Sequence, residues 1–100
     1  MADLITEFAE HLRQERNFSP HTLRNYLSDL EQFYTFLRGR ELCLDGDAVD
    51  VCRIDVHVVR SYLAALAKDR KKSSIGRKLA SLRKFFRYLV AVGKIEQDPL

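Results

Sequence analysis

The side chains best able to do chemistry concentrate in one stretch, Ser73-Ser74-Ile75-Gly76-Arg77-Lys78-Leu79-Ala80-Ser81-Leu82-Arg83-Lys84-Phe85-Phe86-Arg87-Tyr88-Leu89. On a helix advancing about 100° per residue, it divides into two faces. Ile75, Leu79, Leu82, Phe86, Leu89 and Val90 fall on one apolar arc, with Phe85 at its margin. Arg77, Ser81, Lys84 and Arg87 fall opposite, and Gly76 and Ala80 lie between. The run Lys68-Asp69-Arg70-Lys71-Lys72 adds cations at the entrance. Two readings follow: a core helix with a solvated basic back, or a helix that packs with one side and binds a polyanion with the other. Lysine and arginine supply a sequence-independent attraction to phosphate, and arginine can also pair with base edges through its planar fork.

A second cluster lies at Arg24, Asn25 and Ser28, near the start of another helical pattern. These residues sit away from the Leu23/Leu27/Leu30 stripe, at a helix N-terminus whose partial positive charge favours phosphate. Asp29 and Glu31 make the later part of that face less friendly to an anion. The charge distribution points the same way. Residues 1–67 carry seven Lys/Arg against eleven Asp/Glu, whereas residues 68–100 carry ten against three. A field segregated like this draws a polyanion to one side of the domain.

Catalytic constellations are missing. There is no phosphate-cradling glycine loop, no GxSxG elbow and no HExxH. Asp55, His57 and Ser61 superficially resemble a trio, but a nucleophile and a base stacked on one helix face read as a solvated surface. His11 reads as a surface histidine. Cys43 and Cys52, nine apart and without a second Cys/His pair, are a poor zinc site. They read as free thiols, with a disulfide as the lesser alternative. Asp45-Gly46-Asp47 lacks the later acidic ligands of a calcium loop and reads as a turn. No cofactor, metal or catalytic residue is expected.

Four elements must position these residues. Asp3 can cap a first helix from Leu4 to about Arg16, with Leu4, Ile5, Phe8 and Leu12 as its stripe. Asn17-Phe18-Ser19-Pro20 breaks it, Ser19 serving as N-cap and Pro20 as the first helical residue of a second helix. That helix runs to about Leu37 and buries Leu23, Tyr26, Leu27, Leu30, Phe33, Tyr34 and Leu37; Gly39 ends it. Residues 40–54 form a polar connection. Asp55 caps a third helix from Val56 to about Ala67, burying Val56, Val59, Leu63 and Leu66. The basic fourth helix stops near Gly93, whose missing Cβ suits a left-handed cap, and Pro99 opposes helical continuation. The fold class is therefore all-α, a compact bundle of four main amphipathic helices in one domain spanning 1–100. With 46% hydrophobic and 31% charged residues the composition is that of a globular domain. No apolar run is long enough to cross a bilayer. Met1-Ala2-Asp3 opens no secretory signal, so a cytoplasmic location is expected.

Three stretches together resemble a known family. Asn17-Phe18-Ser19-Pro20-His21-Thr22-Leu23-Arg24-Asn25-Tyr26, with Asp29-Leu30 and Phe33-Tyr34-Phe36-Leu37, is similar to the SPxTLxxYxxDLxxFxxFL opening of tyrosine recombinases. Ser73 to Leu89 resembles their SSIxRKLSALRxFFxYL helix. Val92-Gly93-Lys94-Ile95 through Asp98-Pro99 is similar to their GxIxxNP exit, with Asp98 where Asn is usual. Each motif alone is weak, but their order and spacing over the whole chain are specific, and the Xer group is nearest.

The resemblance implies the N-terminal core-binding domain, with a SAM-like helical fold, of a site-specific recombinase. Such a domain forms half of a C-shaped clamp around double-stranded DNA at the recombination site. The catalytic domain, with the nucleophilic tyrosine, would begin about where this sequence stops, and no tyrosine here inherits that role. Carried over by motif, DNA contacts fall at Arg24, Asn25 and Ser28 on the second helix. On the fourth they fall at Ser73, Ser74, Arg77, Ser81 and Lys84, with Lys71 and Lys72 at its entrance. Arg87 reads as a solvated flank. Partners implied are the DNA site and other recombinase subunits in a synaptic tetramer, with no membrane and a monomeric isolated domain. For the Xer group the implied task is chromosome dimer resolution. A phage or mobile-element integrase is the alternative within the class, and a helical protein-interaction module meeting an acidic partner is the alternative outside it.

Overall fold

A computed structural model describes residues 1–15, 18–69 and 71–100. Arg16, Asn17 and Arg70, which figure in the helix end, motif and basic run above, lie outside the described residues. Four helices carry the fold: α1 (Ala2–Arg13), α2 (Pro20–Gly39), α3 (Val56–Ala67) and α4 (Lys72–Ala91). Between α2 and α3 the chain makes a two-residue antiparallel pairing, β1 (Leu44–Asp45) with β2 (Ala48–Val49), followed by a 3-10 turn at Val51–Arg53.

Most helix ends follow the local chemistry. The Ser19 hydroxyl accepts the Thr22 N–H at 3.1 Å with Pro20 opening α2, and Asp55 accepts the Val58 N–H at 2.9 Å at the start of α3. Gly93, at φ 79°, closes α4: its N–H reaches the Val90 carbonyl and the Lys94 N–H reaches Leu89 at 2.8 Å. This is a Schellman arrangement. Two expectations differ. Asp3 caps nothing, because α1 already begins at Ala2 with Met1 in the cap position. Gly39 is the last residue of α2, and the left-handed residue is Glu41 at φ 55°, with the Leu42 N–H returning to Leu37 at 2.8 Å. The glycine stands two residues too early to take the strain.

The connection is not merely polar. Gly46, at φ 65°, makes the two-residue turn that pairs Leu44 with Val49. Val49, Val51 and Ile54 are buried in the same core as the helices. That core is built around Phe8, Leu12, Leu30, Phe33, Leu37, Leu82, Phe85, Phe86 and Leu89, all fully enclosed. Phe8 meets Phe85 edge-on at 5.4 Å and Phe33 meets Phe86 at 6.3 Å, so α4 is wedged between α1 and α2. No helix of the described residues is long and apolar enough to cross a membrane.

The rotation of α4 decides what it shows to solvent. Its buried residues are Lys78, Ser81, Leu82, Phe85, Phe86 and Leu89, a set centred roughly 60° around the helix from the apolar arc read off the sequence. Ile75 and Leu79 are only half-buried, Val90 is exposed, and Phe85, expected at the margin, is fully enclosed. Two polar side chains thus occupy core-facing positions. What compensates them comes from α2.

Candidate nucleic-acid interface

Asp29 is 1% exposed, on the inward side of α2 between Tyr26 and Phe33. Three donors from α4 surround its carboxylate. Lys78 Nζ donates to Oδ1 at 2.9 Å, Arg77 Nη2 donates to the same oxygen at 2.9 Å, and Ser81 Oγ donates to Oδ2 at 2.7 Å. Burial pushes the Asp29 pKa up. Hydrogen bonds from Lys78 and Ser81, with the charges of Lys78 and Arg77, outweigh burial and hold it below the ordinary aspartate value. A carboxylate and an ammonium this deep persist only as a mutually compensated pair. Asp29 is therefore not a surface charge that repels phosphate, as its place in the sequence suggested. It is the internal counter-ion of α4.

Ser81 moves with it. The sequence placed Ser81 on the open face, whereas it is 3% exposed and its hydroxyl is committed to Asp29. Arg77 straddles the boundary: one nitrogen is tied to Asp29, while 55% of the side chain remains exposed. Lys84 is half-buried, 3.8 Å from Glu15 and 4.9 Å over the Phe18 ring, so it braces α4 against the segment joining α1 to α2.

The outward face of α4 is formed by Lys72, Ser73, Gly76, Ala80, Arg83 and Arg87, all exposed, with Arg77 and Lys84 at one margin. Gly76 and Ala80 keep its centre low. Arg83 and Arg87 line a shallow groove with His11, Tyr26 and Lys84. An arc centred on Ile75 and Leu79 gives Arg83 no role and makes Arg87 a flank. The signal that could have found this was Asp29, an acid at core spacing from Tyr26 and Phe33. It requires a cation at a core position of another helix, and Lys78 is one turn before Leu82.

Lys71, Lys72 and Ser73 are exposed around the α4 N-terminus and Ser74 is half-buried there. No side chain caps that terminus and no acid occupies its first turn, which leaves its free N–H groups and dipole favourable to an anion. On α2, Arg24 and Ser28 are exposed and Asn25 half-buried. Asn25 lies one turn before Asp29 and so on the side of α2 that faces α4. Arg24 and Ser28 line a different depression, with Arg13, Leu23, Leu27 and Glu31. The structure thus brings Arg77, Ser81 and α2 together through Asp29, but places Arg24 and Ser28 around the side of α2.

Cys43 and Cys52 are free thiols. Cys43 Sγ donates to the Arg53 carbonyl at 3.3 Å and Cys52 Sγ to Lys94 at 3.4 Å. Burial, with Asp55 and Asp50 nearby, pushes the Cys43 thiol up, away from a nucleophilic thiolate. His57 and Ser61 are both exposed on α3.

Comparison with known proteins agrees with this architecture. The family described as phage integrase, N-terminal SAM-like domain, matches residues 5–93. Tyrosine recombinase XerC of Syntrophus aciditrophicus is 44% identical over 102 aligned positions, covering 100% of this chain and 33% of that protein. XerC of Pelobacter propionicus is 40% identical over 99% of this chain and 32% of its own length. XerC of Lacticaseibacillus casei is 40% identical over 95% and 30% respectively. The chain spans about a third of the length of the curated relatives it matches. No solved structure matches it. The resemblance seen in the three motifs therefore holds over the whole sequence, and the catalytic part of such a recombinase lies outside these residues. The chain belongs to the phage integrase N-terminal SAM-like domain family and is similar over its whole length to part of the tyrosine recombinases named XerC.

Proposed function

We propose that this domain binds double-stranded DNA and holds a recombinase on its half-site, with the outward face of α4 as the principal contact. One observation carries the reading. From Lys72 to Ala91 there are six lysines and arginines and no carboxylate, and of the six only Lys78 is buried, with its charge met by Asp29. The remaining positive charge therefore faces outward around a low Gly76/Ala80 centre that admits a backbone. A 20-residue helix is about 30 Å long, close to one turn of duplex. In this reading Lys72, Arg83 and Arg87 meet phosphates, while Ser73, Arg77 and Asn25 are placed to read base edges. Lys71 and Ser74 flank the helix N-terminus, Lys84 braces the helix at the margin of the contact, and Arg24 and Ser28 reach the flanking backbone.

The whole protein would break and rejoin DNA through a catalytic domain that closes the other half of the clamp, within an assembly of several recombinase subunits. The named relatives favour a Xer-type role, chromosome dimer resolution, over a phage or mobile-element integrase. A titration of labelled duplex over a salt series tests the core of this. Each phosphate contact contributes a log–log salt slope of about −0.9. Arg83→Ala and Arg87→Ala should each reduce the slope by about one such unit while leaving sequence preference unchanged. Binding of an acidic polypeptide as tightly as duplex, with no preference among duplexes, would favour a protein-interaction module instead.

A further inference from the structure

Two cations share one buried carboxylate, and they are not equivalent. Lys78 is 4% exposed and Asp29 1%, so their charges cancel inside the protein. Arg77 is bound to the same Oδ1 at 2.9 Å but has 55% of its side chain in solvent. Its guanidinium has five N–H donors in a rigid fork, and the contact to Asp29 uses one nitrogen. Ser81 holds the other carboxylate oxygen at 2.7 Å, which stops the carboxylate from turning. Because Lys78 already neutralises Asp29, the tether leaves the positive charge of Arg77 unspent, facing outward. A lone Asp29–Arg77 pair would instead cancel the charge an anionic ligand needs.

We infer that Asp29 is a positioning residue, which with Lys78 and Ser81 pre-orients the Arg77 guanidinium for base-edge recognition. The inference rests on the DNA-binding reading above. A surface arginine with several free torsions loses rotamer freedom when it docks on a base, and one already anchored at its tip loses less. Sequence discrimination would then be set from the interior of the α2–α4 packing by a residue that never touches DNA.

The test compares a duplex selected from a randomised library by this domain with a scrambled duplex of the same composition. Arg77→Ala should lower the preference for the selected duplex roughly 5- to 150-fold, the range of one good bidentate contact. The pair Asp29→Leu/Lys78→Met removes the acceptor that anchors Arg77 and leaves the net charge unchanged, so affinity for scrambled duplex should stay within about twofold. Preference for the selected duplex should fall about as far as in Arg77→Ala, and adding Arg77→Ala to the pair should change little more. A folded Asp29→Leu/Lys78→Met chain that keeps its preference, while Arg77→Ala loses it, overturns the positioning role and leaves the DNA reading standing. Absence of binding to any duplex by the unsubstituted chain overturns both. Should the double variant fail to fold, nitrogen relaxation of the Arg77 side chain in the free, unsubstituted protein decides. An ordered guanidinium is expected, and a freely rotating one overturns the inference.

Discussion

Asp29 sits where α2 and α4 meet, and Lys78, Arg77 and Ser81 close around it. Removing one member is not equivalent to removing the pair. Asp29→Asn leaves Lys78 buried without a counter-ion and should cost about 3–5 kcal/mol, whereas Asp29→Asn/Lys78→Met should lie much closer to the original stability. Chemical denaturation of the single and double variants checks this, and equal losses would refute it. The pH dependence has a definite sign. The folded-state pKa of Asp29 is held below its ordinary value of 3.8, so the folded state binds the proton more weakly than the unfolded state. The stabilisation is present in full above that value and is lost as pH falls below it toward the folded-state pKa. The unsubstituted chain should therefore lose stability relative to Asp29→Asn/Lys78→Met in acid, and the two should run parallel at neutral pH. The sequence showed each of these residues but not their connection: Asp29 and Lys78 are 49 positions apart, and periodicity within one helix does not reveal a partner on another.

The four helices were legible because each repeats apolar residues at helical spacing and most carry a cap or breaker that matches their ends. What was not legible was the rotation of α4. Its half-buried Ile75 and Leu79 resemble core residues, while its buried Lys78 and Ser81 do not, so an apolar arc drawn from residue type alone points about 60° away from the real interior. Leu82→Ala should therefore destabilise by about 2–5 kcal/mol, since Leu82 is fully enclosed. Leu79→Ala, at a half-buried site, should cost clearly less, whereas equal losses in thermal melts of the two variants would support the sequence-derived arc, on which both residues lie. The connection was read as polar because Val49, Val51 and Ile54 follow neither period. They are buried through a short hairpin and a 3-10 turn. The end of α2 offers a further check. Glu41 takes a left-handed conformation at φ 55° that costs a residue with a Cβ about 1 kcal/mol. Glu41→Gly should raise the melting temperature, and a lower one would mean that the Glu41 side chain makes a compensating contact.

At the scale of the whole molecule, negative charge gathers in residues 1–67 and positive charge in 68–100, and among the described residues the acids that meet α4 cations are Asp29, inside the protein, and Glu15, beside Lys84. The α4 crown presents Lys72, Arg83 and Arg87, while Asp45 and Asp47 are exposed at the β1–β2 turn. The domain measures 35 × 32 × 22 Å, a size suited to covering about one turn of duplex on one side. Such a charge layout orients an approaching polyanion before any contact forms. The most direct measurement is chemical-shift mapping of the chain titrated with duplex DNA. Perturbations are expected along Ser73, Gly76, Arg77, Ala80, Arg83 and Arg87, extending to Asn25 and Arg24, with the β1–β2 turn unaffected. Perturbations confined to that acidic turn and to α3, with the crown of α4 silent, would contradict it.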